Sequence, residues 1–95
     1  MSEDHAIGRE RSAESLYNRA AAIFEQALGK DHPLALVTRN ELAEVLRAER
    51  RYTESEKLGR VTLAALQTRF APDDPRVVRA LSNYARLQAD THPPL

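Results

Sequence analysis

The chain has no cysteine, which removes disulfides and thiolate metal sites from consideration and leaves its compartment open. It also has no excess charge of either sign. Fourteen basic and fourteen acidic side chains cancel, so no global field draws the chain to nucleic acid or to an anionic membrane. Aromatics are scarce, three tyrosines and two phenylalanines, mostly at positions expected in a core, so a stacking platform for single strands is not expected. No run approaches the roughly 18 apolar residues of a membrane span. The polar opening, with Glu3, Asp4, Arg9, Glu10 and Arg11, contains no signal-peptide core. A cytoplasmic location follows as the expectation. Gly-rich phosphate loops, a nucleophile elbow, a zinc-helix motif and a carboxylate pair in an identifiable pocket are all missing. The three histidines, His5, His32 and His92, are too far apart in sequence to converge as ligands. No catalytic residue, no cofactor and no metal is therefore expected.

What is present is a repeat. Asp31-His32-Pro33 returns as Asp73-Asp74-Pro75, and the same 42-residue offset pairs Ala13-Glu14 with Ser55-Glu56, Leu16 with Leu58, and Leu28 with Phe70. Helical patterning at such a spacing, with no strand signal, points to stacked helix pairs in which each unit buries its apolar face only against its neighbours. At 95 residues the chain makes one small domain, with a core but little stability in reserve.

Apolar residues at spacings of three and four mark four helices. The first runs over 12–28 with Leu16, Tyr17, Ala20, Ile23, Phe24, Ala27 and Leu28 on one face. Ser12 is placed to cap it, and Gly29 supplies the left-handed residue that ends it. The second starts at Asp31-His32-Pro33, because proline is tolerated in a first turn and the residue before it can accept free amides. It carries Leu36, Val37, Leu42, Ala43, Val45 and Leu46 and ends near 48–50. Thr53, with Glu56 three residues on, has the capping-box spacing for a third helix bearing Leu58, Val61, Leu63, Leu66 and Phe70. A fourth follows Pro75 with Val77, Val78, Leu81, Tyr84, Ala85 and Leu87. Short connections make successive helices antiparallel neighbours. The expected layout is a polar segment over 1–11 that could be disordered, a helical domain over 12–90, and a tail over 91–95.

From His32 onward the string resembles the tetratricopeptide repeat in its 42-residue, kinesin-light-chain-like form. The places where that family has His-Pro, Leu-Ala, Gly-Arg-Tyr and Glu-Ala-Glu hold His32-Pro33, Leu42-Ala43, Arg50-Arg51-Tyr52 and Glu54-Ser55-Glu56. The stretch from Ala13 to Ala20, followed by Leu28-Gly29-Lys30-Asp31, looks like the second helix of a preceding unit. The resemblance implies an all-α fold, antiparallel hairpins stacked as a short right-handed array of about four helices. It covers the second helix of one unit, one complete unit and the first helix of a third. Arg50 stands where the family has glycine, Ser55 and Thr62 where it has alanine, and Gly59 where it has a bulky aromatic. Gly59 either reflects drift in a degenerate repeat or admits a closely packed helix or a partner's side chain.

The resemblance also implies a non-catalytic protein–protein interaction module whose first helices line a concave groove for a peptide or helix of another protein. Carried over by position, the lining would be Val37, Asn40, Glu41, Glu44 and Arg47, with Arg79, Asn83 and Arg86 from the last helix. The arginines and Asn83 form a run of donors suited to carboxylates. Glu41 and Glu44 could instead satisfy them internally, and an ordinary solvated face would look the same. Two half-repeats with open flanks suggest self-association, for instance as a homodimer, as the alternative, through Leu16, Ile23 and Phe24 at one end and Val78, Leu81 and Tyr84 at the other. A fragment of a longer repeat scaffold would read the same way. The local basic cluster of Arg47, Arg50, Arg51 and Arg60 lacks the long stripe or flanking aromatics of a nucleic-acid site. Neither nucleic acid nor membrane is expected as a partner.

Overall fold

The two proline segments open helices in the same way. His32 and Asp74 both have extended backbone, and each is followed by proline in the first helical turn. His32 Nδ1 accepts from the Leu34 N–H at 3.1 Å, and Asp74 Oδ1 accepts from the Arg76 N–H at 2.9 Å. A side chain at this position satisfies one of the amides that a helix start leaves without an intrahelical acceptor. Arg76 also reaches back to the Asp74 carboxylate at 2.8 Å and lies 3.8 Å from the centre of the Phe70 ring, which closes the turn between the third and fourth helices.

The computed structural model of the chain describes the backbone of residues 4–93 and the side chains of residues 13–93. Among these residues there are four helices and no strand: α1 (Asp4–Leu28), α2 (Pro33–Ala48), α3 (Tyr52–Arg69) and α4 (Pro75–Thr91). The all-α hairpin array expected from the repeat is the fold.

The helix ends show which sequence signals governed the turns. Gly29 has φ 98° and its N–H donates to the Glu25 carbonyl at 2.9 Å, ending α1 where the glycine stands. At the end of α2 the same left-handed conformation falls on Arg50, with φ 63°. The Arg51 N–H donates to Leu46 O and the Arg50 N–H to Arg47 O, both at 2.9 Å, the paired bonds of a Schellman turn. The turn thus keeps its geometry although its glycine is missing, and a side chain is held where L-residues are disfavoured.

Two expected starts differ. Helix α1 begins at Asp4 rather than at Ser12, since residues 5–11 contain no proline and only Gly8 as a weak helix former. Ser12 therefore lies within the helix, not at its cap. Helix α3 begins at Tyr52, capped by the Arg51 backbone without a side-chain bond, so Thr53 and Glu56 form no capping box. The Schellman turn leaves α3 to restart directly after Arg51, which puts Thr53 already inside the first turn. The Glu56 carboxylate serves elsewhere, accepting from Tyr84 Oη at 2.8 Å and from Arg60 Nε at 3.2 Å.

Helix α2 lies between its neighbours and packs on α1, α3 and α4, whereas α1 and α3 do not pack on one another. Its buried face, Ala35, Leu36, Leu42, Ala43 and Leu46, alternates small and large side chains. Leu36 joins Leu63, Leu66, Val77 and Ala80 in the central cluster, with Ala65, Phe70 and Tyr84 against it. The molecule measures 46 × 45 × 19 Å, a slab about two helices thick. Val61, expected on the apolar face, is exposed. It projects into the space that α1 and α3 leave by standing apart.

Replacing Arg50 by glycine should raise unfolding stability by about 1 kcal/mol, since glycine takes positive φ without steric cost; a lowered urea midpoint would contradict the left-handed assignment. Asp74 is held down to about 2 from 3.8 by the Arg76 guanidinium and then by the Arg76 amide. A depressed folded value stabilises above the unfolded value and is lost as pH falls through the folded one. The difference in melting temperature between wild type and Asp74→Ala should therefore be full above about pH 4 and narrow as pH falls towards 2. A pH-independent difference would assign the cap another origin.

Candidate functional site

Helices α2 and α4 are the first helices of successive units, and the side they share carries the residues expected to line a groove. Spacings of three and four bring Val37, Glu41 and Glu44 to one side of α2, and Arg79, Asn83 and Arg86 to one side of α4. Because α2 touches α4 while α1 and α3 stay apart, the α2/α4 side is the inner side of the bend. Val37, Glu41, Glu44 and Arg47 are half-buried there, and Arg79 and Arg86 are exposed. Asn40 is different: it is buried, turned inward beside Asn83 and Tyr84 around a small cavity of about 10 Å³. Its amide does not line the open face. Asn83 also points part of its side chain inward, with Nδ2 enclosed and without a hydrogen-bond partner.

The charges on this face pair across the two helices. Arg79 meets Glu41 at 2.8 Å, and Arg86 meets Glu44 at 3.4 Å across 42 residues of chain. Arg47 binds Glu44 at 2.9 Å and Asp90 at 2.7 Å. Its hydrogen bonds to the Glu44 carboxylate, and then to that of Asp90, push the Arg47 guanidinium above its ordinary range. Asp90 was missed at the sequence level because it sits in the last turn of α4, where a solvated acid is ordinary. The outer arginines each meet a single carboxylate of α2. Arg86 uses one long contact, and a guanidinium has five donors. Exposed pairs of this kind contribute about 0 to 1 kcal/mol each, so a ligand carboxylate can share or displace the glutamates at little cost.

The pattern of the tetratricopeptide repeat family matches residues 4–68, from the start of α1 to the last turn of α3. The chain is a tetratricopeptide repeat protein. Helix α4 lies beyond the matched residues and joins the repeat through its 42-residue offset from α2 and its equivalent capped start. A search of curated proteins found no match. Tetratricopeptide repeats are a non-catalytic interaction fold, which makes this chain a protein–protein interaction module. Among the described residues no His, Cys, Asp or Glu cluster could hold a metal ion, and no helix is long and apolar enough to cross a membrane.

The departures from the repeat pattern have local accounts. Ser55, in an alanine place, is buried and donates to the Ala43 carbonyl at 2.7 Å, tying α3 to α2. Thr62 is buried with its hydroxyl unpaired, a destabilising feature that nothing nearby explains. Gly59 lies under the Tyr84 ring, so an aromatic from the next helix occupies space beside the position where the family places one. Tyr84 is thereby committed within the chain. Its hydroxyl donates to Glu56, and that bond to a carboxylate raises its ionisation above the ordinary tyrosine range.

Acids match Arg47, Arg51 and Arg60 of the basic cluster. Arg47 is paired as described, Arg60 binds Glu56, and Arg51 binds Glu14 of α1, Glu49 at the end of α2 and Glu54 in α3. Hydrogen bonds that Arg51 donates to Glu54, and then to Glu14, raise its guanidinium, while Glu54 is lowered by the same contact. A second feature was not legible in the sequence. Between α1 and α3, over Leu42 and Leu46, lies an open groove of about 590 Å³ rimmed by Ala22, Leu58, Val61 and Lys57. The exposed Val61 was its one visible trace.

A methyl group added at Gly59 would lie 3.5 Å from Tyr84 Cδ1 and 3.9 Å from Ala43 Cβ, ordinary contact distances. Gly59→Ala should therefore stabilise the domain by about 1 kcal/mol through helix propensity alone, and a loss in chemical denaturation would show that α4 cannot accept even that volume.

Proposed function

We propose that the chain binds an acidic peptide segment of another protein on the α2/α4 face. The observation that carries this reading is the pairing of Arg79 and Arg86, both exposed, with single carboxylates of α2. A peptide side chain or terminal carboxylate would compete with Glu41 and Glu44 for guanidinium forks that bind carboxylates in a bidentate way. Arg47, with both neighbours close, acts as a fixed base of charge rather than as a ligand contact. The partner is a protein or peptide, and a cytoplasmic setting suits the reading.

A displayed peptide library panned against the chain should enrich sequences rich in Asp or Glu. Replacing Arg79 and Arg86 together by alanine should weaken the selected peptide by roughly tenfold or more, the scale of losing charged hydrogen bonds, with an unchanged melting temperature. Glu41→Gln should strengthen it by freeing Arg79. Val61→Lys, on the opposite side, should leave it unaltered. Unchanged binding in the double arginine variant would reject this face, and loss in Val61→Lys would move the site to the α1/α3 groove.

Self-association is the second reading, supported by the exposure of Leu16 and Ile23 on α1 and of Val78 and Leu81 on α4. Apolar side chains at helix spacing on two flanks are more than single scattered surface residues.

A further inference from the structure

The internal repeat specifies how two copies would meet. The α2/α3 hairpin is a complete unit, α4 corresponds to α2, and α1 corresponds to α3, each by the same 42-residue offset. Leu36 and Ala43 of α2 are buried in the hairpin, at 3% and 6% exposure, while the corresponding Val78 of α4 is 47% exposed and the corresponding Ala85 is also exposed. Leu81, on the same side of α4 one turn from each, is 43% exposed. On the other helix, Leu58 and Ala65 of α3 are half-buried, and the corresponding Leu16 and Ile23 of α1 are exposed at 60% and 61%. The open flank of α4 is thus the one that α3 covers on α2, and the open flank of α1 is the one that α2 covers on α3.

We infer that α4 of one copy packs against α1 of a second copy head-to-tail, rebuilding the α2/α3 hairpin between molecules. This rests on the self-association reading above and adds its geometry. Contacts within the hairpin set the register. The Cβ of Gly59 would lie beside Ala43, and Ser55 bonds the Ala43 carbonyl. By the same offset, Ala85 of one copy lies between Ala13 and Tyr17 of the other, a small side chain facing an aromatic. Leu36 packs with Leu66, which places Val78 against the half-buried Phe24. Arg39 and Leu58 both line the α1/α3 groove, so Leu81 and Leu16 would line the equivalent groove at the joint. The contact uses two different faces, so one joint leaves a free face at each end, and association continues unless the copies close into a ring.

Two single variants test the direction of pairing. Ile23→Glu disables the α1 flank and Leu81→Glu the α4 flank; both positions are exposed, so helix content by circular dichroism should be unchanged. In analytical ultracentrifugation the wild type should show concentration-dependent association, each variant alone should sediment as a monomer, and an equimolar mixture should form a one-to-one pair through the two intact flanks. If either variant alone still dimerises, the contact is symmetric through its untouched face, which overturns the head-to-tail arrangement and keeps self-association. A mixture that stays monomeric while the wild type associates also overturns it. A wild type that is monomeric at every concentration overturns both.

Discussion

Helix α2 has to satisfy three neighbours at once, and the arrangement of the other helices follows from how it does so. Its buried face alternates Ala35 and Ala43 with Leu36, Leu42 and Leu46. The alanines let helix backbones approach, and the leucines fill the spaces between them, the interdigitation that interior packing density demands. With α1 and α3 packed on α2, and α4 packed chiefly on α3 and at its edge on α2, α1 and α3 are left standing apart. The same constraint therefore brings the polar sides of α2 and α4 together and opens the groove on the other side.

Placement of charge follows from that packing. Arg51 sits where α2 turns into α3 and gathers carboxylates from α1, α2 and α3, while Glu44 gathers arginines from α2 and α4. These contacts are mostly on the surface and contribute little net stability individually. They fix which charges face outward. A chain with no net charge can still present a local run of exposed guanidiniums, because the acids that balance them are set half-buried beneath. This local asymmetry is the basis of the proposed acidic-segment site on the α2/α4 side, despite the neutral total.

The repeat also accounts for which apolar side chains stay exposed. In a stacked array each helix is covered on both flanks, and a unit that lacks one neighbour exposes apolar surface in proportion. Val78, Leu81, Leu16 and Ile23 occupy those flanks, so the surface that could bring copies together is distinct from the charged side that could take a peptide. The two activities would not compete for the same residues, and joining copies end to end would extend the charged side rather than cover it.

Helix number, type and most boundaries were legible from periodicity, proline and glycine, because those signals act within one turn of chain. The family likeness was legible for the same reason, since the repeat offset aligns unlike residue types in register. Starts that depend on a neighbouring turn were not: the left-handed Arg50 set where α3 begins, and no local capping pattern announces a side chain in a glycine's place. The groove residues were identified as a face, but their pairing was left open, and only the packing of α4 on α2 decided that Glu41 and Glu44 answer Arg79 and Arg86 and that Asn40 turns inward. Sequence by itself determined the helices and the repeat because backbone hydrogen bonding and apolar spacing are local; tertiary structure alone decided which charges meet and which flanks stay open, because both depend on distances between residues about forty positions apart.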